Sequence, residues 1–388
     1  MLGVATLIVV QAVMIGFREE FTDRILGANA HVSVYSMTYE DEFGRQTRVI
    51  KDFAERARAV AAVPGVVQAA PVIKGQVMAS GNGRNNGVEI IGISAADLAA
   101  TPLIAQPEDS LGSLADFEKG VAIGSGISRE LGVTIGDKIK LISPEGVKTV
   151  MGTAPRVASY DVVYIFQVGR WDIDRTRIYM PFAAAQSYFN REGVADEIEV
   201  RVENPDAVED LYDPLLAAIG DKGLLWTWKE ASSAFLDALD VERHVLFIVL
   251  SLVVLIAALN IISGLVMLVK NKGRDIGILR TMGMSQGSIM RIFFICGSMI
   301  GVIGTLLGVV IGCLFALNIT QIQAVVEAIS GGSIWDPQVR FLTEIPARLR
   351  WQDVASAMGM ALGLSFLITL IPARNAARMN PVEALRYE

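Results

Sequence analysis

Residues whose chemistry could support catalysis are few in this 388-residue chain. The two histidines, His31 and His244, flank the central polar region, and two are too few for a histidine-rich metal site. The carboxylate runs 40–42 and 209–210 consist of sequence neighbours, whose side chains point in different directions on a helix or a strand. No Ser/His/Asp or Cys/His set can be assembled from the spacing. The sequence therefore predicts neither a metal site nor catalytic residues.

Motifs that bind phosphate groups are also missing. The sequence contains no phosphate-binding loop of the Walker A type, so the chain does not bind ATP in that way. Residues 124–129 begin like a dinucleotide-binding fingerprint but lack its third glycine, and a turn explains them better. The case for an enzyme is weak, and a machine built on this chain must obtain its energy from another protein.

Four apolar stretches are candidates for membrane spans, because a helix rises about 1.5 Å per residue and roughly 20 apolar residues cross a bilayer core. The clearest runs for 24 residues without a charge, from Leu246 to Val269. We assign the spans to residues 1–17, 245–269, 292–317 and 354–373. The first is short and has no basic residue before it, so we expect the chain to be truncated at its N-terminus.

Basic residues around these spans predict their orientation. Residues 270–291 contain five Lys or Arg and one acid, and residues 374–388 contain Arg374, Arg378 and Arg386. Because basic loops remain in the cytoplasm, residues 18–244 and 318–353 lie on the outer side. A signal-peptide interpretation of the N-terminus is disfavoured, because its charges follow the apolar stretch instead of preceding it.

The outer region 18–244 is acidic and carries no cysteine. It contains 34 Asp or Glu against 23 Lys or Arg, which gives no footprint for nucleic acid. The two cysteines, Cys296 and Cys313, both lie in the third span, where small packing residues explain them. The outer region must therefore be stabilised by its own core, and we expect its partners to be protein or lipid.

The pattern of the outer region predicts an α+β fold. Residues 31–35, 66–80, 88–94, 197–202 and 224–228 have strand character, whereas 50–63 and 205–219 have helical spacing. Segments 28–95 and 191–230 form one subdomain, which is interrupted by a strand-rich insert at 96–190. Residues 231–244 contain no Gly or Pro, which predicts a helical stalk continuous with the second span.

Inside the insert, residues 143–157 separate two predicted strands by more residues than a tight hairpin uses. The segment carries Val147, Val150 and Met151 among turn-forming residues. An exposed loop would present these apolar side chains to solvent, which is typical of a partner-binding loop. The alternative, that the loop folds back onto its own domain, stays open.

Two features of the membrane region could make contacts with partners. Ile276, Leu279 and Met282 have helical spacing, so they form one apolar edge that could enter a partner's groove or lie on the membrane surface. A glycine stripe in the third span, repeated at Gly359 and Gly363 in the fourth, favours close helix packing within the chain or between subunits; its members are Gly297, Gly301, Gly304, Gly308 and Gly312. Spans two to four carry no ionisable residue, which disfavours an ion pathway.

Residues 254–283, which include Ile276-Gly-Ile-Leu-Arg280, and the tail 371–388 strongly resemble the lipoprotein-releasing system permeases of the LolC/LolE family. Residues 3–17 share the likeness, although the family usually has Asn at the position of Ile15. The wider MacB/FtsX-like ABC transporter superfamily shares the four-span layout. The resemblance implies a membrane α-helical protein with four transmembrane helices and a large periplasmic α+β domain, made of a porter-like subdomain and a β-rich inserted subdomain.

The resemblance also implies a function and partners. It predicts a non-catalytic permease subunit of the bacterial inner membrane that extracts lipoproteins and passes them to the periplasmic chaperone LolA by mechanotransmission. A cytoplasmic LolD-like ATPase dimer would bind ATP and Mg²⁺, and a second permease copy or paralogue, lipoprotein and membrane lipid complete the partners. Alternatives are another superfamily permease for peptide or drug efflux, an activator of a periplasmic hydrolase, and a membrane-anchored enzyme. The LolC-type, LolE-type and single-permease roles stay open.

Three sets of residues receive roles from the resemblance. The segment that docks on the ATPase comprises Arg274, Asp275, Ile276, Leu279, Arg280 and Met282. The residues expected to contact lipoprotein acyl chains are Val13, Met14, Phe17, Leu246, Phe247 and Leu250. The chaperone-binding loop, called the Hook in LolC-type permeases, contributes Val147, Val150, Met151 and Pro155.

Overall fold

A computed structural model describes residues 1–40, 46–107, 109–149, 152–220, 223–330 and 345–378. Within these ranges the chain forms two compact parts. The helical part contains residues 1–20, 237–330 and 345–378, and the mixed part contains residues 21–236 apart from the gaps.

Among the described residues, every strand lies in the mixed part. The strands are β1 (Val32–Ser36), β2 (Tyr39–Glu40), β3 (Gln46–Thr47), β4 (Val66–Gly81), β5 (Arg84–Ile93), β6 (Asp109–Gly112), β7 (Val121–Gly124), β8 (Lys138–Thr149), β9 (Gly152–Gln167), β10 (Arg177–Pro181), β11 (Glu197–Val202) and β12 (Gly223–Thr227). The helices are α1 (Leu2–Ala28), α2 (Phe53–Ala61), α3 (Ala95–Ala99), α4 (Pro102–Ala105), α5 (Ser125–Leu131), α6 (Trp171–Thr176), α7 (Phe182–Tyr188), α8 (Tyr212–Ile219), α9 (Trp228–Ala231), α10 (Ser233–Asn271), α11 (Gly273–Thr281), α12 (Gln286–Leu317), α13 (Ile319–Ser330) and α14 (Trp351–Ala377). Two short 3₁₀ turns cover Leu114–Lys119 and Pro205–Leu211.

Four helices of the described chain, α1, α10, α12 and α14, are long and apolar enough to span a membrane. Small residues let three of them pack closely. A Cβ atom on Gly308 would lie 2.6 Å from the carbonyl oxygen of Met1, and one on Gly312 would lie 3.1 Å from Ala5. Gly297 and Gly301 face Thr369 and Ser365 of α14 in the same way. These four glycines of the stripe therefore serve packing within the chain.

The fourth-span glycines behave differently. A Cβ atom on Gly359 or Gly363 would meet no other atom within 4 Å, so both lie on an open face of α14. A cluster of apolar side chains closes the opposite side of the bundle, where Val4, Leu7 and Ile8 of α1 pack with Leu250 and Val254 of α10. Ala357 and Ala361 of α14 complete this cluster.

The mixed part is built on a ten-stranded sheet in the order β12-β1-β11-β4-β5-β10-β7-β9-β6, with β8 paired to β4 and β9. Strand β10 runs parallel to β5, and β7 runs parallel to β9, whereas the other pairs are antiparallel. The flanking strands β1, β4, β5, β11 and β12 and the inserted strands β6–β10 therefore share one sheet.

Both faces of this sheet carry apolar cores that mix flank and insert. On one face, Ile73 and Ile90 of the flanks pack with Ile123 and Ile178 of the insert. On the other face, Ile91 belongs to a cluster with Phe117, Phe166 and Tyr179. Full burial of each such side chain contributes about 1.5 to 3 kcal/mol. The insert is thus fused to the flanks through common cores.

Candidate sites for coupling, lipid contact and force transmission

The predicted coupling segment is a short helix, α11, whose buried side rests on the ends of the spanning helices. Ile276 is 3% exposed and belongs to a cluster with Val269, Ile289, Phe293, Ala373 and Ala376. Gly283 ends the segment with a φ of +95°, a left-handed conformation that favours glycine. Ser285 then starts α12 by accepting a hydrogen bond from the Ser288 amide at 3.2 Å. Force applied to α11 therefore reaches α10, α12 and α14 through direct contacts.

The exposed surface of this segment differs from the predicted apolar edge. Ile276 is buried in the chain's own core, and Leu279 and Arg280 are half-buried. Met282 is 79% exposed and Ile278 is 44% exposed, so these two supply the accessible apolar surface. Arg274 and Asp275 are also exposed, and Asp275 pairs with Lys272 at 2.9 Å. The accessible patch for a partner thus centres on Ile278 and Met282.

The residues predicted to contact acyl chains fall into two groups. Val13, Met14, Phe17 and Leu246 are half-buried, and Phe247 is 48% exposed. Leu250 is instead buried in the cluster formed by α1, α10 and α14. Phe247 and one side of α1 are therefore at least partly accessible, whereas Leu250 is packed inside the cluster.

An extended segment, residues 345–350, lies along α1 beside these residues. The amide of Arg348 donates to the carbonyl oxygen of Ala12 at 2.9 Å. A Cβ atom on Gly16 would lie 2.8 Å from the backbone of Ala347, so the close approach requires glycine. Ion pairs hold the segment further, since Arg348 contacts Glu19 at 3.1 Å and Glu20 at 3.4 Å, and Arg350 also pairs with Glu19. The segment thus borders α1 at the level of Val13 to Phe17.

The predicted Hook loop is a β-hairpin over most of its length. Strands β8 and β9 continue to pair beyond residue 143, with Val147 opposite Ala154 and Thr149 opposite Gly152. Prediction of a long loop between strands at 138–142 and 157–168 was therefore wrong. Val150 and Met151 lie outside the described residues, and of Val147 the structure describes only the backbone. Pro155 is exposed.

An open cleft of about 970 Å³ lies at the base of this hairpin. Its walls include Met78, Ile142 and Pro144 beside Pro155, together with the polar side chains of Asn85 and Asn86. Arg156, next to Pro155, holds the neighbouring loop by donating to the carbonyl of Tyr188 at 2.8 Å and to Asn190 Oδ1 at 2.9 Å.

The helices α1 and α10 are paired outside their apolar stretches, which the sequence did not reveal. The rings of Phe21 and Phe235 stack with centroids 4.1 Å apart, and Arg170 lies over the Phe21 ring at 5.0 Å. Arg18 pairs with Asp240 at 2.9 Å. A stalk was predicted from α10 alone, whereas the structure has two helices in contact.

The last turn of α1 is attached to the sheet by side chains from distant strands. Arg201 of β11 donates to the carbonyl of Leu26 at 3.0 Å, and Arg177 of β10 donates to the carbonyl of Ala28 at 3.1 Å. Such terminal carbonyls have no partner within the helix, and positive charge stabilises the negative end of its dipole. We call Arg177, Arg201 and His31 the clamp.

His31 completes the clamp from the link between α1 and β1. Its Nε2 lies 3.2 Å from the carbonyl of Leu26, and its Nδ1 accepts the amide of Val202 at 3.0 Å. Burial, reinforced by the charge of Arg201, lowers the pKa of His31 below its ordinary 6.5. The ring is thus neutral at neutral pH, with Nε2 as the donor. The backbone carbonyl of His31 in turn accepts a hydrogen bond from the amide of Trp228 at 2.9 Å. This bond joins the link between α1 and β1 to α9.

Two carboxylates lie near the clamp arginines, and their charges oppose those of the guanidinium groups. Glu199 lies on the same face of the sheet and pairs with Lys74 at 2.7 Å. Burial alone would raise the pKa of Glu199, but Lys74, Arg177 and Arg201 outweigh it and hold this pKa below its ordinary value. Arg177 also faces Glu89 at 3.7 Å. The clamp therefore belongs to a charged network on the sheet, which is costly to break by removing one member.

Among the described residues, no group of three or more His, Cys, Asp or Glu side chains is placed to hold a metal ion.

Comparisons with known proteins find matches to most of the chain. Residues 247–381 match the family model of the FtsX-like permease C-terminal region, and residues 1–217 match that of the MacB-like periplasmic core domain. The LolC protein of Neisseria meningitidis serogroup B is 31% identical over all of this chain and 92% of its own length. The LolC protein of Xylella fastidiosa is 32% identical, also over all of this chain and 92% of its own length. A LolE protein of Haemophilus influenzae is 28% identical over 99% of this chain and 91% of its own length.

Four spanning helices, a periplasmic core domain and an FtsX-like C-terminal region define a multi-pass ABC transporter permease. Within that class, the chain belongs to the family of lipoprotein-releasing system transmembrane proteins that contains LolC and LolE. The family resemblance carried by residues 254–283 and 371–388 is confirmed, as is the fold class of four transmembrane helices with a periplasmic α+β domain.

Proposed function

We propose that this chain is the permease subunit of an ABC-type complex of the bacterial inner membrane that extracts lipoproteins and passes them to a periplasmic chaperone. The proposal is supported by full-length similarity to proteins named for lipoprotein release. A separate LolD-like ATPase dimer binds ATP and Mg²⁺ and docks on α11, while this chain itself catalyses nothing. A second permease copy or paralogue completes the membrane complex, and a LolA-like chaperone receives the cargo.

The observation that carries the mechanism is the attachment of α1 to the sheet. The helix runs from residue 2 to residue 28, and its end, which belongs to the mixed part, is held there by two arginines and a histidine. These contacts would pass a movement of the last turn of α1 to the sheet. This arrangement suits mechanotransmission, in which ATP-driven motion of the helices moves the periplasmic domain while no channel opens.

The decisive experiment is to purify the complex from its own membrane and identify its proteins. We expect an ABC-type ATPase and one or more acylated lipoproteins to copurify with this chain. Addition of ATP and a LolA-type chaperone should then move the lipoprotein into the soluble fraction. Copurification of a peptide, a drug or a periplasmic hydrolase in place of lipoprotein would contradict the proposal.

The first prediction concerns the acyl-chain contact. Acyl chains are held by burial at roughly 0.8 kcal/mol per CH₂, so a charge among their contacts should be costly. Met14→Asp and Phe247→Asp should each abolish lipoprotein copurification while the ATPase remains bound. Leu250→Asp differs, because Leu250 is buried among α1, α10 and α14; this variant should lower the yield of assembled complex. Persistent lipoprotein in both Met14→Asp and Phe247→Asp would place the acyl chains elsewhere.

A second prediction concerns the Hook hairpin. If Val150 and Met151 are buried by the chaperone, each should contribute about 1.5 to 3 kcal/mol to its binding. Replacing both with Asp should weaken chaperone affinity by calorimetry, with lipoprotein loading onto the membrane complex unchanged. Val67→Asp is the control, since Val67 is 66% exposed on the same domain. If the Val150/Met151 variant binds the chaperone as tightly as Val67→Asp does, the Hook is not part of the chaperone site. A large loss of melting temperature in the Val150/Met151 variant would assign Val150 and Met151 to the core.

A further inference from the structure

Helix α13 has an inverted distribution of polar and apolar side chains. The aliphatic side chains of Val325, Val326 and Ile329 are 58%, 41% and 81% exposed. Gln323 and Glu327, by contrast, are half-buried. A helix that packs on protein in water normally buries its apolar side and exposes its polar side. The inversion points to a surrounding medium that is apolar.

The polar side chains of α13 make hydrogen bonds within the chain. Gln323 Oε1 accepts the amide of Ile345 at 3.3 Å, and Gln323 Nε2 donates to Glu327 Oε1 at 3.0 Å. The first of these bonds ties α13 to the segment that leads along α1 at residues 345–350. The polar groups therefore direct the helix toward its own protein, and the aliphatic side chains are left outward.

Continuity with a lipid-facing surface identifies the medium. Only Asn318 separates α13 from the spanning helix α12, and its side chain donates to the carbonyl of Leu314 at 2.7 Å. Leu314, Phe315 and Leu317, at this end of α12, are 57%, 43% and 71% exposed, as expected for side chains that face lipid. The aliphatic side of α13 extends that surface.

Two further features place α13 at the outer boundary of the membrane. The basic segment 270–291 precedes the opposite end of α12, so the end at Leu317 lies on the outer side. Trp351 begins α14, which returns through the membrane, and it is 77% exposed. Tryptophan is enriched at the interface between membrane and water, where its ring is amphipathic.

We propose that α13 lies in the outer leaflet at the level of the lipid headgroups, with Val325, Val326 and Ile329 among the acyl chains. Resting on the proposed function, this places a lipid-disturbing helix beside residues 345–350 and α1, where lipoproteins would leave the same leaflet. Amphipathic helices of this kind insert their apolar face about 5 to 10 Å into the boundary between headgroups and acyl chains.

Spin-label accessibility tests the placement in the full chain, reconstituted in lipid nanodiscs without cargo. In a background with Cys296→Ala and Cys313→Ala, nitroxide labels are attached at Val325→Cys or Ile329→Cys, and at Thr320→Cys as the matched control, because residue 320 shares the helix face of Gln323 and Glu327. Positions 325 and 329 should be highly accessible to oxygen and poorly accessible to a water-soluble nickel chelate, while position 320 should show the reverse. High nickel accessibility at 325 and 329 would overturn the proposal. Low accessibility to both probes would also overturn it, because it would mean that protein covers this face.

The role in extraction is measured separately. Val325→Ser with Ile329→Ser should reduce ATP-driven lipoprotein release with ATP hydrolysis and lipoprotein copurification retained, whereas Thr320→Ala should leave release unchanged. Unchanged release in the double variant would overturn the role in extraction even where the spin labels report lipid. Absence of lipoprotein from the unaltered complex would instead count against the proposed function, and the nanodisc result would still stand.

Discussion

Ile278→Asp combined with Met282→Asp should detach the ATPase from the permease. These side chains form the exposed apolar surface of α11, and burial of each under a partner would contribute about 1.5 to 3 kcal/mol. Loss of both should weaken association on the order of 100-fold or more, since 1.4 kcal/mol corresponds to a factor of ten. The measurement is ATPase retention on the immobilised permease, together with ATP-driven lipoprotein release.

A matched variant on the opposite side of α11 separates docking from transmission. Ile276 faces the chain's own cluster with Val269, Phe293 and Ala376, away from the accessible patch. Ile276→Ala should cost about 2 to 5 kcal/mol of packing at that contact, so the ATPase should remain bound while release falls. Full ATPase retention and normal release in the Ile278/Met282 variant would show that another surface receives the ATPase.

The spans could be predicted from the sequence because hydropathy measures what the bilayer requires. The ends of the helices could not be predicted in this way, because a helix can continue past the membrane through polar residues that are compatible with helix. The first span was assigned to residues 1–17, yet α1 continues to Ala28 through Arg18, Glu19, Glu20 and Arg24, which are compatible with helix. Apolar length therefore located the membrane segment and missed that the same helix reaches the sheet.

Strand prediction succeeded where apolar and polar residues alternate strictly along the sequence. The strand predicted at 197–202 is β11, Glu197–Val202, because Ile198, Val200 and Val202 alternate with charged residues. Residues 143–157 were predicted as a loop because the segment is longer than a tight hairpin turn and its apolar residues lie among turn-forming residues, which include Pro144 and Pro155. In the structure these prolines lie where β8 and β9 pair only with each other, beyond the pairing of β8 with β4 at Ile142. Proline is tolerated there because the outer edge of each strand needs no donor.

The clamp could not have been predicted from local patterns. The alternation of Glu197, Glu199 and Arg201 indicated a polar face on β11, but nothing in the sequence indicated that this face is covered by the end of α1. Arg177 and Arg201 are 149 and 175 residues from the carbonyls they bind. Only the topology of the sheet, which places β10 and β11 on either side of β4 and β5, brings them to one helix end.

Arg201→Met should separate ATP hydrolysis from lipoprotein release. The substitution keeps an unbranched side chain and removes the donor to the Leu26 carbonyl, a charged hydrogen bond of about 1.5 to 3 kcal/mol. If α1 pulls on the sheet through this contact, release should fall by about tenfold or more, while ATP hydrolysis and ATPase binding persist. Arg177→Met should act in the same direction, because it removes the donor to the Ala28 carbonyl. Both rates are measured on the reconstituted complex with a LolA-type chaperone present.

Two controls distinguish transmission from damage to the fold. Arg56 also donates to a backbone carbonyl of the mixed part, at Ile219. Because this bond joins α2 to α8 and not α1 to the sheet, Arg56→Met should leave coupling intact. Arg201→Lys keeps the positive charge beside Glu199. This variant should therefore recover part of the lipoprotein release that Arg201→Met loses. Normal release in Arg201→Met with a folded domain would mean that α1 moves the periplasmic domain without the clamp. An equal loss in Arg56→Met would assign the effect to stability alone.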